Sequence, residues 1–248
     1  WKQHFINAGK KTLPDGLTPF KPLDLKADIT QPLYVEISVP SDARPGDYRS
    51  ALSFTDGSSV TIRLTVYDFE LPVTPAIRTA FGVYPEHMAH HEQVSQGSKA
   101  FQKLKEAYYE MMLDHGISLY YLPVDLASPE ADKYLSDPRM TSYVIWNDPE
   151  TDRFRKLLDR LKAGGWLDKG FVYLWDEPAT EEHAKFITDN GPRLRQLEPD
   201  LKVTVPYHVK ESESGCKIYD VLLNNVNIWC YITPLYDESW LQSRQKAG

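Results

Sequence analysis

Between Asp68 and Pro75 the hydrophobic rhythm of this chain changes, and that change limits the fold more than any single motif. Before it the period is two. Leu33, Val35, Ile37 and Val39 alternate with Tyr34, Glu36 and Ser38, and Val60, Ile62, Leu64 and Val66 alternate with Thr61, Arg63, Thr65 and Tyr67. Tyr48 to Phe54 reads as a further strand, with turn signals at Pro45-Gly46 and Asp56-Gly57. One apolar and one wet face predict an antiparallel sheet with a single buried side. Three or four strands cannot close a sandwich, which needs about seven. Residues 1–32 carry no strong period and read as loop or edge.

After the stiff linker with Pro72 and Pro75, strand patterns alternate with helical ones. Ile77 to Val83, Ile117 to Leu122, Tyr143 to Trp146, Gly170 to Trp175, Leu201 to Val205 and Val226 to Tyr231 are strand-like. Lys99 to Asp114, Pro149 to Ala163 and Thr180 to Gln196 are helical, and Gly116 and Gly164-Gly165 stop the first two. Strand–helix alternation predicts a parallel sheet. Residues 77–248 number 172, enough for five or six units of a (β/α)8 barrel, which takes about 250 residues. The expected fold class is therefore α/β: a partial (β/α)8 TIM-type barrel over 76–248, preceded over 1–75 by part of an antiparallel β-sandwich and a linker. An open doubly wound sheet is the alternative. Trp1 is not a natural start, so a removed leader or missing upstream sequence is expected, and the barrel is expected to be cut short at Gly248.

Composition excludes several function classes. A net charge of −7 with no basic stripe argues against nucleic acid and anionic membrane as partners. No apolar run approaches the ~20 residues of a membrane span. Cys216 and Cys230 give neither a disulfide framework nor metal spacing. There is no glycine-rich phosphate loop, no serine elbow and no Cys-x-x-Cys pair, so no cofactor is expected.

The chemistry concentrates in Gly170-Phe171-Val172-Tyr173-Leu174-Trp175-Asp176-Glu177-Pro178. A buried strand ends in two adjacent carboxylates and a helix follows. Ligands bind at that end of strands in α/β folds. Neighbouring carboxylates at short range do not both ionise easily, so one can hold a proton near neutral pH. A second reading stands beside this one: Glu177 caps the helix with Pro178 at its first position, and Asp176 complements the helix dipole. Trp175 reads either as a core aromatic or as a flat face for a sugar ring.

His208, Trp229 and Tyr231 lie at or near other strand ends, the rim that Asp176 and Glu177 would share, with Tyr207 and Tyr236 as weaker candidates. His87 and His91 are four apart, as metal ligands on a helix can be. The glutamate of the zinc-protease pattern is missing and the segment reads as a polar loop, so no metal is expected.

The order of motifs carries a resemblance. "VPSDARPGDYRSALSF", "LTVYDFELP", "FGVYP", "YLWDEP" and "NIWCYITP" follow one another from about residue 33 onward. This order resembles glycoside hydrolase family 123 and its relatives, β-N-acetylgalactosaminidases built as a β-sandwich followed by a (β/α)8 barrel. In that family an adjacent Asp-Glu pair ends the fourth barrel strand. The strand ending in Asp176-Glu177 is the fourth by count here. The resemblance implies a retaining, substrate-assisted mechanism, with Glu177 as general acid and then base. Asp176 would hold the substrate's 2-acetamido group, Tyr231 would bond its oxygen, and Trp229 would wall its pocket. Trp175 and His208 complete the expected substrate-binding set. The implied partner is a glycan or glycoconjugate, and the implied location is secreted, periplasmic or cell-surface in a bacterium. Neighbouring residues cannot straddle a sugar as the usual carboxylate pair does, ~5 Å apart. A nucleophile carried by the substrate removes that need. The chain departs from the family in length, so this stretch alone is expected to be inactive.

Two competing readings remain at this point: a carbohydrate-binding or structural module with a degenerate barrel, and a hydrolase of the same class acting on another glycan.

Overall fold

The computed structural model describes residues 21–24, 26–28, 30–207, 221–222, 224–231, 238–239, 242 and 246. The chain divides into two compact units, Trp1–Leu71 and Pro72–Gly248.

The first unit contains a two-stranded antiparallel sheet, β1 (Gly46–Ser53) and β2 (Ser59–Val66), paired from Gly46↔Val66 to Ser53↔Ser59. The turn forms where Asp56-Gly57 predicts it. Asp56 Oδ1 accepts from the Ser58 backbone N–H at 2.8 Å and from its hydroxyl at 2.7 Å, while Gly57 takes φ 84°. Leu52, Ile62, Leu64 and Val66 are half-buried, so the apolar face expected from the alternation exists. The strand expected over Leu33–Val39 does not form: that segment carries no regular secondary structure and joins neither sheet among the described residues. Alternation sets which face a residue takes; the ladder itself needs hydrogen bonds to a neighbouring strand, and among the described residues β1 and β2 pair with each other and not with this segment.

The second unit is mixed α/β. In chain order it contains α1 (Pro85–His91), α2 (Lys99–Asp114), a 3-10 turn (Pro129–Ala131) leading into α3 (Asp132–Leu135), β3 (Tyr143–Ile145), α4 (Thr151–Ala163), β4 (Gly170–Tyr173), α5 (Glu181–Leu197), β5 (Lys202–Tyr207) and β6 (Ile228–Tyr231). β3, β4, β5 and β6 form one parallel sheet in sequence order. Two more segments continue it. The Val144 N–H donates to Tyr120 O, and Phe81 and Leu119 form a parallel bridge through Phe81 N–H to Ser118 O and Tyr120 N–H to Phe81 O, each at 2.9 Å. The strand-like runs at 77–83 and 117–122 thus shrink to that bridge. β3 to β6 all run the same way, so their carboxyl ends meet at one rim.

The helices form for local reasons. Ser98 caps α2 by accepting from the Phe101 N–H at 3.0 Å. Gly116, at φ 72°, ends it, with Gly116 N–H bonded to Leu113 O and Ile117 N–H to Met112 O, both at 2.9 Å. Gly165 repeats this arrangement after α4. α4 buries Phe154, Leu158 and Leu161, and α5 buries Ala184, Ile187 and Leu194, each on one helical face against Val172, Leu174, Val203 and Val205 of the sheet. Each such large side chain contributes about 1.5–3 kcal/mol. Gly191 lies on the same face of α5 because Asn225 presses against it: a Cβ there would sit 2.2 Å from Asn225 Oδ1. The segment around His87 to His91, expected as a loop, is the helix α1. Pro85 starts it, Glu86 suits its first turn, and Met88 and Ala89 pack on Phe101.

Candidate functional site

Asp176 and Glu177 occupy the short connection between β4 and α5, at the carboxyl rim of the sheet. Three contacts pin that connection. The Trp175 ring packs on His183 and Phe186 of α5, with centroids 4.7 and 4.9 Å away. The Ala179 N–H donates to His183 Nδ1 at 3.1 Å. Thr180 caps α5 by accepting from the His183 N–H at 3.3 Å. The helix cap is therefore Thr180, and the reading that assigned capping to Glu177 does not hold. Trp175 takes its core reading, half-buried against the sheet and α5.

Glu177 has φ 45°, the left-handed region that a side-chain-bearing residue enters at a cost of about 1–2 kcal/mol. Strain of this kind persists only where the surroundings over-determine it, and it concentrates at functional sites. Asp176 is exposed, and its Oδ1 accepts a hydrogen bond from the Tyr173 hydroxyl at 2.7 Å. Burial, then the bond to Asp176 and its charge, push the Tyr173 phenol far above the ordinary tyrosine range. The phenol stays protonated at neutral pH and acts as a donor.

An aromatic line runs from this pair along the rim. Tyr120 lies 5.8 Å from Tyr173 and 6.1 Å from Phe171. Tyr121 lies 6.0 Å from Tyr120, and Trp146 stacks on Tyr121 at 5.4 Å and 11°. Tyr84 closes the cluster at 6.2 Å from Tyr121. Gly82 makes room: a Cβ there would meet the Tyr120 ring at 3.0 Å and the Tyr84 ring at 3.4 Å. Burial raises the phenols of Tyr120 and Tyr121, the latter to about 12, with smaller contributions from neighbouring acidic groups. Cys230 of β6 is near enough that, after burial, the Asp176 charge raises its thiol, so it is not poised as a thiolate nucleophile. The rim offers one exposed carboxylate held by a phenol, a second on strained backbone, and flat rings: acceptors, phenolic donors and stacking faces for a polyhydroxylated ligand.

The remaining sequence candidates distribute differently. Trp229 is half-buried against the hydrophobic core, in register with Val205, whereas its neighbour Cys230 is the residue near Asp176. Tyr231 ends β6 in register with Tyr207. His208, Tyr236 and Cys216 lie outside the described residues. Among the described residues no group of three or more His, Cys, Asp and Glu is arranged to hold a metal ion, and no helix is long and apolar enough to cross a membrane. The sequence reading did not single out Tyr84, Tyr120, Tyr121, Trp146 or Tyr173 as site residues. Each stands within the last three residues of a strand-like run or just past it, which was the available signal.

No protein-family model matches the chain, and no curated protein matches it.

Proposed function

We propose that this chain is part of a retaining glycoside hydrolase that removes terminal β-linked N-acetylhexosamine, most simply N-acetylgalactosamine, with the substrate's own acetamide as nucleophile. The (β/α)8 barrel and β-sandwich of glycoside hydrolase family 123 belong to the same proposal. In support, β3, β4, β5 and β6 lie in sequence order in one parallel sheet, and the Asp-Glu connection follows β4, the fourth strand-like segment of this unit. The observation that carries the reading is the Tyr173–Asp176 bond beside a strained Glu177, on a connection that is pinned without either acid serving as the helix cap.

Glu177 gives its proton to the glycosidic oxygen as that bond breaks. The 2-acetamido oxygen attacks the anomeric carbon and closes an oxazolinium ion, while the leaving alcohol departs protonated. Asp176, oriented by Tyr173, accepts from the amide N–H and offsets the developing positive charge. Glu177 then takes a proton from water, whose oxygen opens the ring with net retention.

The test is hydrolysis of an aryl β-N-acetylgalactosaminide by the intact protein and by Glu177→Gln. The expected result is turnover by the former, a loss of at least a hundredfold in the latter, and no turnover of aryl glycosides lacking the acetamido group. Equal rates for the two proteins would remove Glu177 from the acid role.

A further inference from the structure

We infer that the Trp146–Tyr121 stack is a second sugar-binding platform, which takes a neutral pyranose of the glycan beyond the terminal residue. The inference rests on the function proposed above for the direction of the glycan, but not for the existence of the platform. Trp146 is 62% exposed, an unusual position for the largest apolar side chain. Its ring does not hang free. Tyr121 backs it nearly coplanarly, and Tyr84 and Tyr120 brace Tyr121 at 58° and 78°.

The backbone that carries Trp146 is also fixed. Arg193 of α5 bonds Asn147 Oδ1 and, at 3.1 Å, Asp148 O. Asn147 Nδ2 donates to Asn190 Oδ1 at 3.2 Å, and Arg153 pairs with Asp148. A face held in place loses little entropy when a ligand lands on it. The aromatic line continues through Tyr120 and Tyr173 to Asp176, so the platform is continuous with the proposed cleavage point. The axial C–H face of a pyranose is apolar and matches an exposed indole. Its rim of hydroxyls can meet the phenols of Tyr84 and Tyr121. The ligand favoured by the platform is therefore an oligosaccharide or glycoconjugate with at least one sugar beyond the terminal residue.

The test measures binding of a trisaccharide with β-N-acetylgalactosamine at its non-reducing end followed by two neutral hexoses, by calorimetric titration. The methyl glycoside of the terminal sugar serves as the comparison ligand. The expected result is tighter binding of the trisaccharide, weakened about tenfold in Trp146→Ala and much less in Trp146→Phe, which keeps a flat ring. Tenfold is the factor that burying ~55 Å² of indole face is worth. Equal trisaccharide affinity in the wild type and Trp146→Ala overturns the inference, as does wild-type binding of the methyl glycoside as tightly as the trisaccharide. Trp146-dependent binding without hydrolysis supports the platform and sinks the catalytic reading. Hydrolysis with Trp146-independent binding does the reverse.

Discussion

The backbone at Glu177 provides a test that needs no substrate. Its φ of 45° is one that glycine adopts freely, asparagine tolerates and β-branched residues resist. Glu177→Gly, Glu177→Asn and Glu177→Val all delete the same carboxylate, so whatever that group contributes cancels among them. What remains is conformational. Valine carries the full left-handed cost, about 2 kcal/mol, whereas glycine carries none. Glycine gives back about 0.7 kcal/mol through the larger entropy of its unfolded chain. The glycine variant should therefore be more stable than the valine one by about 1 kcal/mol, with asparagine between them. For a unit of this size that separates the melting temperatures by roughly 3 °C. Thermal unfolding followed by circular dichroism measures it. All three variants should lack hydrolase activity, so stability and activity would part at this position. A valine variant that melts at or above the glycine variant would show that Glu177 is not held in the left-handed region, and the argument from strain would fall with it.

Tyr173→Phe deletes the hydroxyl that orients Asp176. The lost bond, to an exposed carboxylate, is worth about 0.5–1.5 kcal/mol, so kcat/KM on acetamido substrates should drop roughly three- to tenfold while the fold survives. An unchanged kcat/KM would take Tyr173 out of the site. At the other end of α5 the Glu198 side chain is 7% exposed, and Lys162 Nζ, 2.7 Å away, holds its carboxyl below the usual glutamate range, helped by the Asp200 N–H. A depressed folded value means that this contribution to stability is present above the unfolded value of 4.5 and is lost as pH falls through the lower folded value. Melting temperature should therefore drop on acidification below about 4.5, and the drop should be shallower in Lys162→Met. Parallel acid profiles for the two proteins would contradict the pairing.

Local signals were legible where a segment carries its own start, period and stop. α2 follows Ser98, presents Phe101, Tyr109 and Leu113 to the core and ends at Gly116, and its bounds match those expected from the sequence. β4 and α5 were legible for the same reason, and Pro192 did not break the helix. The reading weakens where formation depends on a distant partner. Leu33–Val39 has the right alternation and forms no ladder among the described residues, and Ile77–Val83 keeps a single bridge. α1 reads as polar loop because its packing on Phe101, from the helix that follows, is invisible in a seven-residue segment. The site divides along the same line. Asp176 and Glu177 announce themselves as neighbours in sequence, whereas Trp146 and Tyr173 meet Tyr120-Tyr121 only in the folded chain.

Two readings of Asp176-Glu177 compete at the sequence level, and the connection between β4 and α5 separates them physically. A capping carboxylate is consumed by the helix: it faces backbone N–H groups and does not need unusual backbone. Here Thr180 does the capping, three residues beyond Glu177, and the chain reaches it through a left-handed turn that a simple strand-to-helix link does not require. The contacts that hold this turn, Trp175 on α5 and Ala179 on His183, flank the acids and leave Asp176 exposed beside the Tyr173 phenol. A loop that is strained at one residue and clamped on both sides of it is more than helix capping calls for, and it is the kind of support that the proton transfer proposed above would need.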